Sequence, residues 1–328
     1  MSQPHRAERN RTLTLTEDER ADYAKKLRVL AQNASLSELE NQIFHNDLLE
    51  VLDFLPERFV SLLILDPPYN LTKSFNGTVF QARSTAEYID YLESWLPKLM
   101  KTLKTTASVY VCGDWRMSGA LQLVLEKYLI VRNRITWERE KGRGATSNWK
   151  NCSEDIWFCT VSNTYTFNAD AVKLKRRVLA PYRKEGVPKD WEETEDGNFR
   201  LTAPSNLWTD ITIPFWSMPE NTDHPTQKPE KLLAKLILAS SNEGDLVFDP
   251  FLGSGTTAVV AKKLNRRFVG IEKEKEYACL AAKRLDLAER DKSIQGYHDG
   301  VFWERNSLNA QKKTSKKNTP SIIQEKLL

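Results

Sequence analysis

Short apolar runs alternate with amphipathic stretches along this chain. Val60-Ser61-Leu62-Leu63-Ile64-Leu65 is almost continuously apolar, the pattern of a parallel strand covered on both faces. It stops at Asp66-Pro67-Pro68-Tyr69, because two successive prolines cannot continue a ladder. Residues 42–47 read as another strand ending in a polar turn, and 107–113, 130–138, 156–160, 246–248 and 268–272 as further strands. Apolar positions between them fall at helical spacing. Thr16-Glu17-Asp18-Glu19 and Ser84-Thr85-Ala86-Glu87 are capping boxes that open helices predicted over 17–32 and 84–103. Pro97 predicts a kink or break in the second. More helices are predicted over 48–55, 118–128, 256–264 and 274–291, and one from Pro229, a good first helical residue, to 240.

Strands alternating with helices argue an α/β fold whose mostly parallel sheet carries helices on both faces. The rhythm fails from Lys173 to about Pro214, where tryptophans, prolines and charges mix without a period; this reads as an inserted, partly irregular region. Order returns at Pro229, and the polar, lysine-rich tail from Gln311 reads as disordered.

Composition narrows the class. The chain is 40% hydrophobic and 28% charged, with mean hydropathy −0.53 and no apolar stretch of membrane-spanning length. Its N-terminus lacks an apolar signal core, so a cytoplasmic location is expected. The four cysteines form no Cys-x-x-Cys pair and there are four histidines, so no metal site is expected. A net charge of +4 says little by itself, but its distribution says more. Lys173, Lys175, Arg176, Arg177, Arg183 and Lys184 cluster at the start of the irregular region. A solvated face is the commoner fate of such a run. Interleaved Tyr182, Trp191, Phe199, Trp208, Phe215 and Trp216 shift the reading toward a nucleic-acid surface. Arg139, Lys141, Arg143 and Lys150 form a second basic group in an earlier loop.

Two stretches carry candidate chemistry. Asp66-Pro67-Pro68-Tyr69 places a carboxylate, a stiff carbonyl-bearing turn and a ring at the carboxyl end of a strand, the edge where open α/β sheets bind ligands. Phe248-Asp249-Pro250-Phe251-Leu252-Gly253-Ser254-Gly255-Thr256-Thr257 joins a strand to a helix, with glycines that let the backbone approach a ligand. Glu272, at the end of the next strand, is spaced to accept hydrogen bonds from ribose hydroxyls of an adenosine-containing cofactor. No phosphate-cradling G-x-x-x-x-G-K-[ST] occurs. On the glycine loop alone, a nicotinamide-dependent dehydrogenase stays open.

Taken together, the two stretches resemble the amino-group DNA methyltransferases that use S-adenosylmethionine. The order, catalytic motif before cofactor loop, resembles their beta class. His224-Pro225-Thr226-Gln227-Lys228-Pro229 resembles its third landmark, and the likeness runs from about Ile43 to Leu287. The resemblance implies a Rossmann-like, circularly permuted methyltransferase fold with an inserted target-recognition region. It divides the chain into an arm and helix (1–40), a catalytic half (41–172), a target-recognition region (173–223), a cofactor-binding half (224–291) and a C-terminal tail (292–328).

It also implies roles. Asp66 and the Pro67 carbonyl would accept the N–H hydrogens of an amino group, with Pro68 stiffening the turn and Tyr69 stacking on a base extruded from the duplex. Asp249, Phe251, Gly253, Ser254, Gly255, Thr256, Thr257 and Glu272 would hold S-adenosylmethionine. Thr226 and Lys228 would contact it too, although Lys228 also reads as a surface charge. Asp47 would hold the adenine amino group of the cofactor, or simply cap the helix over 48–55. Double-stranded DNA is the implied partner, contacted by Arg139, Lys141, Arg143, Lys150, Lys173, Lys175, Arg176 and Arg177. An aspartate at the first motif position favours adenine N6, with cytosine N4 as the alternative. Ring-carbon methylation is disfavoured because no Pro-Cys occurs, and a zinc deaminase because no ligand set has the spacing. A relic fold that binds DNA without catalysis is the reading from a different class. The resemblance also allows a cognate restriction endonuclease acting separately, and a dimer.

Overall fold

The computed structural model describes residues 9–70, 73–75, 78–139, 146–178, 182–195, 197–305 and 307. Its two extended sheets use thirteen strands. In chain order these are β1 (Gln42–His45), β2 (Val60–Leu65), β3 (Leu103–Gly113), β4 (Ile130–Glu138) and β5 (Ser153–Thr160). There follow β6 (Leu174–Arg177), β7 (Glu192–Thr194), β8 (Gly197–Thr202), β9 (Leu207–Trp208) and β10 (Leu246–Asp249). The last are β11 (Arg267–Glu272), β12 (Tyr297–His298) and β13 (Val301–Trp303). The principal helices are α1 (Glu17–Lys26), α2 (Thr85–Met100), α3 (Ser118–Tyr128), α4 (Glu230–Ser240), α5 (Thr256–Lys263) and α6 (Lys275–Arg290).

The main sheet has eight strands in the order β1-β11-β10-β2-β3-β5-β4-β9. Pairing is parallel from β1 through β3, and β5 runs antiparallel to both its neighbours. The strand beginning at Val60 shows why its sequence is apolar throughout. Leu62 and Ile64 pack on one side with α4, α5 and α6, whereas Leu63 and Leu65 pack on the other with α2 and α3. The parallel strands bring Asp66, Asp249, Glu272 and Asp47 to one edge, at or just beyond their carboxyl ends. Because β5 runs the other way, its first residues arrive at that same edge: Asp155 pairs with Gly113, and Glu154 with Trp137.

Several elements differ from the expected ones. The first helix ends at Lys26 instead of 32, because Arg28 joins the sheet edge, its N–H donating to Ile43 and its carbonyl accepting from His45. α2 runs through Pro97 to Met100, held by a buried face of Tyr88, Leu92, Trp95, Leu96 and Leu99. β3 begins at Leu103, earlier than 107. Pro229 is the cap preceding α4, which starts at Glu230.

The segment read as irregular contributes three strands to a second, five-stranded sheet ordered β7-β8-β6-β13-β12. Its other two strands come from beyond 292, the stretch read as a tail. There Phe302 and Trp303 are buried, and β13 pairs parallel with β6. Lys231 fastens this sheet to α4, donating to the carbonyls of Asp210 and Trp303. Burial lowers the Lys231 ammonium to about 8 against the pull of Asp210. The far end of the tail, from 308, lies outside the described residues. Among the described residues no helix is long and apolar enough to cross a membrane.

Candidate active site

A cavity of about 590 Å³ opens along the carboxyl ends of β2, β10 and β11, and both candidate stretches line it. That volume lies within the usual range for a small-molecule site. One end is built by the glycine loop. Asp249 accepts a hydrogen bond from the Phe251 N–H at 3.0 Å and one from the Thr257 hydroxyl at 2.5 Å. Glu272 accepts from the backbone N–H groups of Gly253 and Glu274, both at 2.7 Å. Burial outweighs these bonds and pushes both carboxyls up to about 7.

The two loop glycines have different reasons to be glycine. Both adopt positive φ, 55° at Gly253 and 84° at Gly255. A Cβ on Gly253 would lie 3.0 Å from the His224 ring, at the cavity wall, whereas one on Gly255 would meet the Ala281 Cβ at 2.5 Å. Gly255 therefore admits α6 against the start of α5, and Gly253 keeps the loop open toward the cavity. Ser254 and Thr256 turn to the buried Arg284, which donates to the Ser254 carbonyl and the Thr256 hydroxyl, both at 2.9 Å. Phe251 packs edge-on to Trp95. Arg284 was not singled out from the sequence. Its only signal is a charge on the apolar face of a helix.

The remaining expected cofactor residues are also brought to the cavity. Asp47 caps the following turn by accepting from the Leu49 N–H at 3.0 Å, and it pairs with Lys273 at 2.8 Å. The Thr226 N–H donates to His224 Nδ1 at 3.3 Å, and the His224 ring meets Tyr277 edge-on.

At the other end stands the Asp-Pro-Pro-Tyr turn. The Tyr88 hydroxyl donates to the Pro68 carbonyl at 3.2 Å, which fixes the turn against α2. Lys228 reaches this end: its Nζ lies 2.7 Å from Asp66 Oδ2, 2.8 Å from Glu154 Oε1 and 3.1 Å from the Tyr69 hydroxyl. It also lies 5.3 Å from the centre of the Tyr69 ring. Tyr69 donates to Glu154 at 2.5 Å, and Arg139 donates to the other Glu154 oxygen at 2.9 Å.

Burial and the Glu154 charge push the Asp66 carboxyl above its ordinary value, against Lys228. Burial also opposes the Glu154 carboxylate, but Lys228 and Arg139 outweigh it and hold Glu154 below its ordinary value. Burial disfavours the Lys228 ammonium, yet Asp66 and Glu154 more than compensate, so it stays charged. Burial and the two carboxylates raise Tyr69, leaving a neutral hydroxyl that donates. Asp66, Cys112 and Glu154 offer ligand atoms within 4.8 Å of one another, and Lys228 supplies the positive charge between the two carboxylates. Glu154 was missed in the sequence, since its place depends on the reversed direction of β5.

The basic residues have varied surroundings. Arg139 points inward to Glu154, whereas Lys150 is exposed beside Trp149, whose side is almost fully open to solvent. Lys173 pairs with Asp170 at 2.7 Å, and Arg176 lies 3.4 Å from Glu304. Lys175 lies over the rings of Phe199 and Trp303, and Arg177 over Phe199. Lys141 and Arg143 lie outside the described residues.

The acceptor set suits a cationic ligand carrying hydroxyl and amine donors. Asp249 and Glu272 line the glycine-loop end of the cavity as acceptors, and the Gly253 cradle would be narrowed by any Cβ. Comparison with known proteins agrees in kind. The chain matches the DNA methylase family over residues 60–283. It is 35% identical over 253 residues to the DNA adenine methyltransferase YhdJ of Escherichia coli (strain K12), spanning 75% of this chain and 83% of that protein. It is 33% identical over 251 residues to the type II methyltransferase M.HpaI of Haemophilus parainfluenzae, spanning 76% and 75%. Among solved structures, the M1.HpyAVI–SAM complex aligns with a TM-score of 0.51 and 25% identity, over 75% of this chain and 98% of that one.

Proposed function

The chain belongs to the DNA methylase family, and from that premise we propose that it methylates the exocyclic N6 of adenine in double-stranded DNA, acting on a base extruded from the duplex. The observation that carries this reading is the shared cavity: Asp66 and Tyr69 at one end, Asp249, Gly253 and Glu272 at the other. S-adenosylmethionine, when bound, supplies an electrophilic methyl group carried on a cationic sulfur. Asp249, Gly253 and Glu272 would hold it, with Asp47 and Thr226 at the margins of the same cavity.

The amino nitrogen of adenine is a poor nucleophile, because its lone pair is delocalised into the ring. Asp66 keeps Oδ2 on Lys228, which leaves Oδ1 to accept one N–H of the amino group. The Pro67 carbonyl accepts the other. Two acceptors set apart in this way favour a pyramidal nitrogen with its lone pair turned toward the methyl group. The contribution is positioning and charge stabilisation. The raised Asp66 carboxyl is also suited to take the proton that the methylated nitrogen releases. Tyr69 offers the extruded base a stacking face.

The second sheet is the favoured target-recognition surface. In this reading the recognition region, 173–223, is completed by β12 and β13. The likeness to a type II methyltransferase supports looking for a separate cognate endonuclease in the cytoplasm of the same cell. The test is nucleoside mass spectrometry of DNA incubated with the protein and S-adenosylmethionine. N6-methyladenine is expected; N4-methylcytosine, or no methylated base, refutes the assignment to adenine N6.

A further inference from the structure

Three donors converge on a carboxylate that the reaction as described does not use. Glu154 is only 3% exposed, at the start of the antiparallel strand β5. A buried carboxylate is costly to keep ionised unless its partners compensate. Here Tyr69, Lys228 and Arg139 all bond to it, each from a different part of the chain. Two of the three also define the base pocket: Tyr69 by its ring, and Lys228 by its hold on Asp66 Oδ2. Arg139 directly follows the end of β4.

We propose that Glu154 is a positioning residue for methyl transfer: it fixes the plane of the Tyr69 ring and holds Lys228 so that Asp66 presents one oxygen to the base. The inference rests on the N6-adenine reading. Glu154 acts through Tyr69 and Lys228 and touches no reacting atom. Its carboxylate divides the Lys228 ammonium between two acids, so Asp66 is not neutralised outright. The groups facing Asp66 are Lys228 from the His-Pro-Thr-Gln-Lys-Pro loop, Glu154 from β5, Tyr69 from its own turn and Cys112 from β3. Asp249 on β10 and Tyr88 on α2 act at longer range.

Replacing Glu154 by Gln removes a negative charge that raises Asp66 and leaves Lys228 to Asp66 alone. Asp66 then ionises at lower pH. A purely structural role would lower stability without moving this titration. The experiment measures the single-turnover rate of N6 methylation across pH for wild type and Glu154→Gln, with S-adenosylmethionine affinity measured alongside. We expect a rate lower by about 10- to 100-fold on the plateau, the scale of a small misplacement of reacting groups. The acid limb should move to lower pH, and cofactor affinity should stay within a few-fold of wild type. A wild-type rate with an unmoved acid limb overturns the proposal. If Glu154→Gln fails to fold, Tyr69→Phe decides instead, because it keeps the stacking ring and deletes the hydroxyl that ties it to Glu154 and Lys228. A slower single turnover supports the proposal, and an unchanged one overturns it. Should the wild-type protein make no N6-methyladenine, the underlying reading fails, and not this inference alone.

Discussion

Lys228 decides what kind of acid Asp66 is. The ammonium is buried, held by two carboxylates, and aimed at a single oxygen of Asp66. Without it, burial and the Glu154 charge would raise Asp66 further, with the smaller pull of the Tyr69 hydroxyl left to oppose them. Lys228→Gln is therefore expected to move the acid limb of the methylation rate to higher pH, opposite in sign to Glu154→Gln, and to lower the rate near neutrality. A pH–rate profile of that variant checks it; an acid limb unmoved or shifted downward counts against the ion-pair account. The resemblance marked Lys228 as a cofactor contact, with a surface charge as the alternative; its reach to Asp66 was not legible, because spacing shows which residues travel together and not where a long side chain ends. Glu154 was not legible at all. Nothing local distinguishes it from Asp155 beside it, and only the pairing of Trp137 with Glu154 in an antiparallel register puts it in the site.

Among elements, the parallel strands were the most legible, and the reason is physical. Leu62, Leu63, Ile64 and Leu65 are buried against helices on both faces, so the whole run must be apolar. β6, β7 and β8 were not legible, because they are short, charged and largely exposed, and β13, which pairs with β6, lies more than a hundred residues beyond it. The turn into α5 was legible as glycine-rich, but the distinct role of each glycine was not. At Gly255 a Cβ would meet Ala281, and its φ of 84° strains any other residue. Gly255→Ala should cost about 1–3 kcal/mol from backbone strain alone, with overpacking of α5 on α6 added. A thermal melt tests this: the midpoint should fall by several degrees, and an unchanged midpoint contradicts the packing role.

For the whole molecule, the main consequence lies in two buried carboxylates at the glycine-loop end of the cavity. Asp249 and Glu272 titrate near 7 because they are buried, far above an unfolded carboxyl. The folded state therefore binds more protons than the unfolded chain between about pH 4 and 7, and these two groups add stability as pH falls through 7. Cofactor affinity has the opposite sign. A cationic ligand with hydroxyl donors prefers both carboxylates ionised, so binding weakens over the same window. The rise in melting temperature on adding S-adenosylmethionine should accordingly be larger at pH 8 than at pH 6. An equal rise at both would mean that neither carboxylate faces the cofactor.

The proposed methylation depends on Asp66 acting on the target base and not on the cofactor. The direct measurement is transfer of a labelled methyl group to DNA in a single turnover, for wild type and Asp66→Ala, with S-adenosylmethionine affinity determined for both. Transfer should fall by at least about a thousand-fold in the variant, the scale of losing a principal electrostatic group, while cofactor affinity stays within a few-fold. Transfer at the wild-type rate by Asp66→Ala would contradict the account.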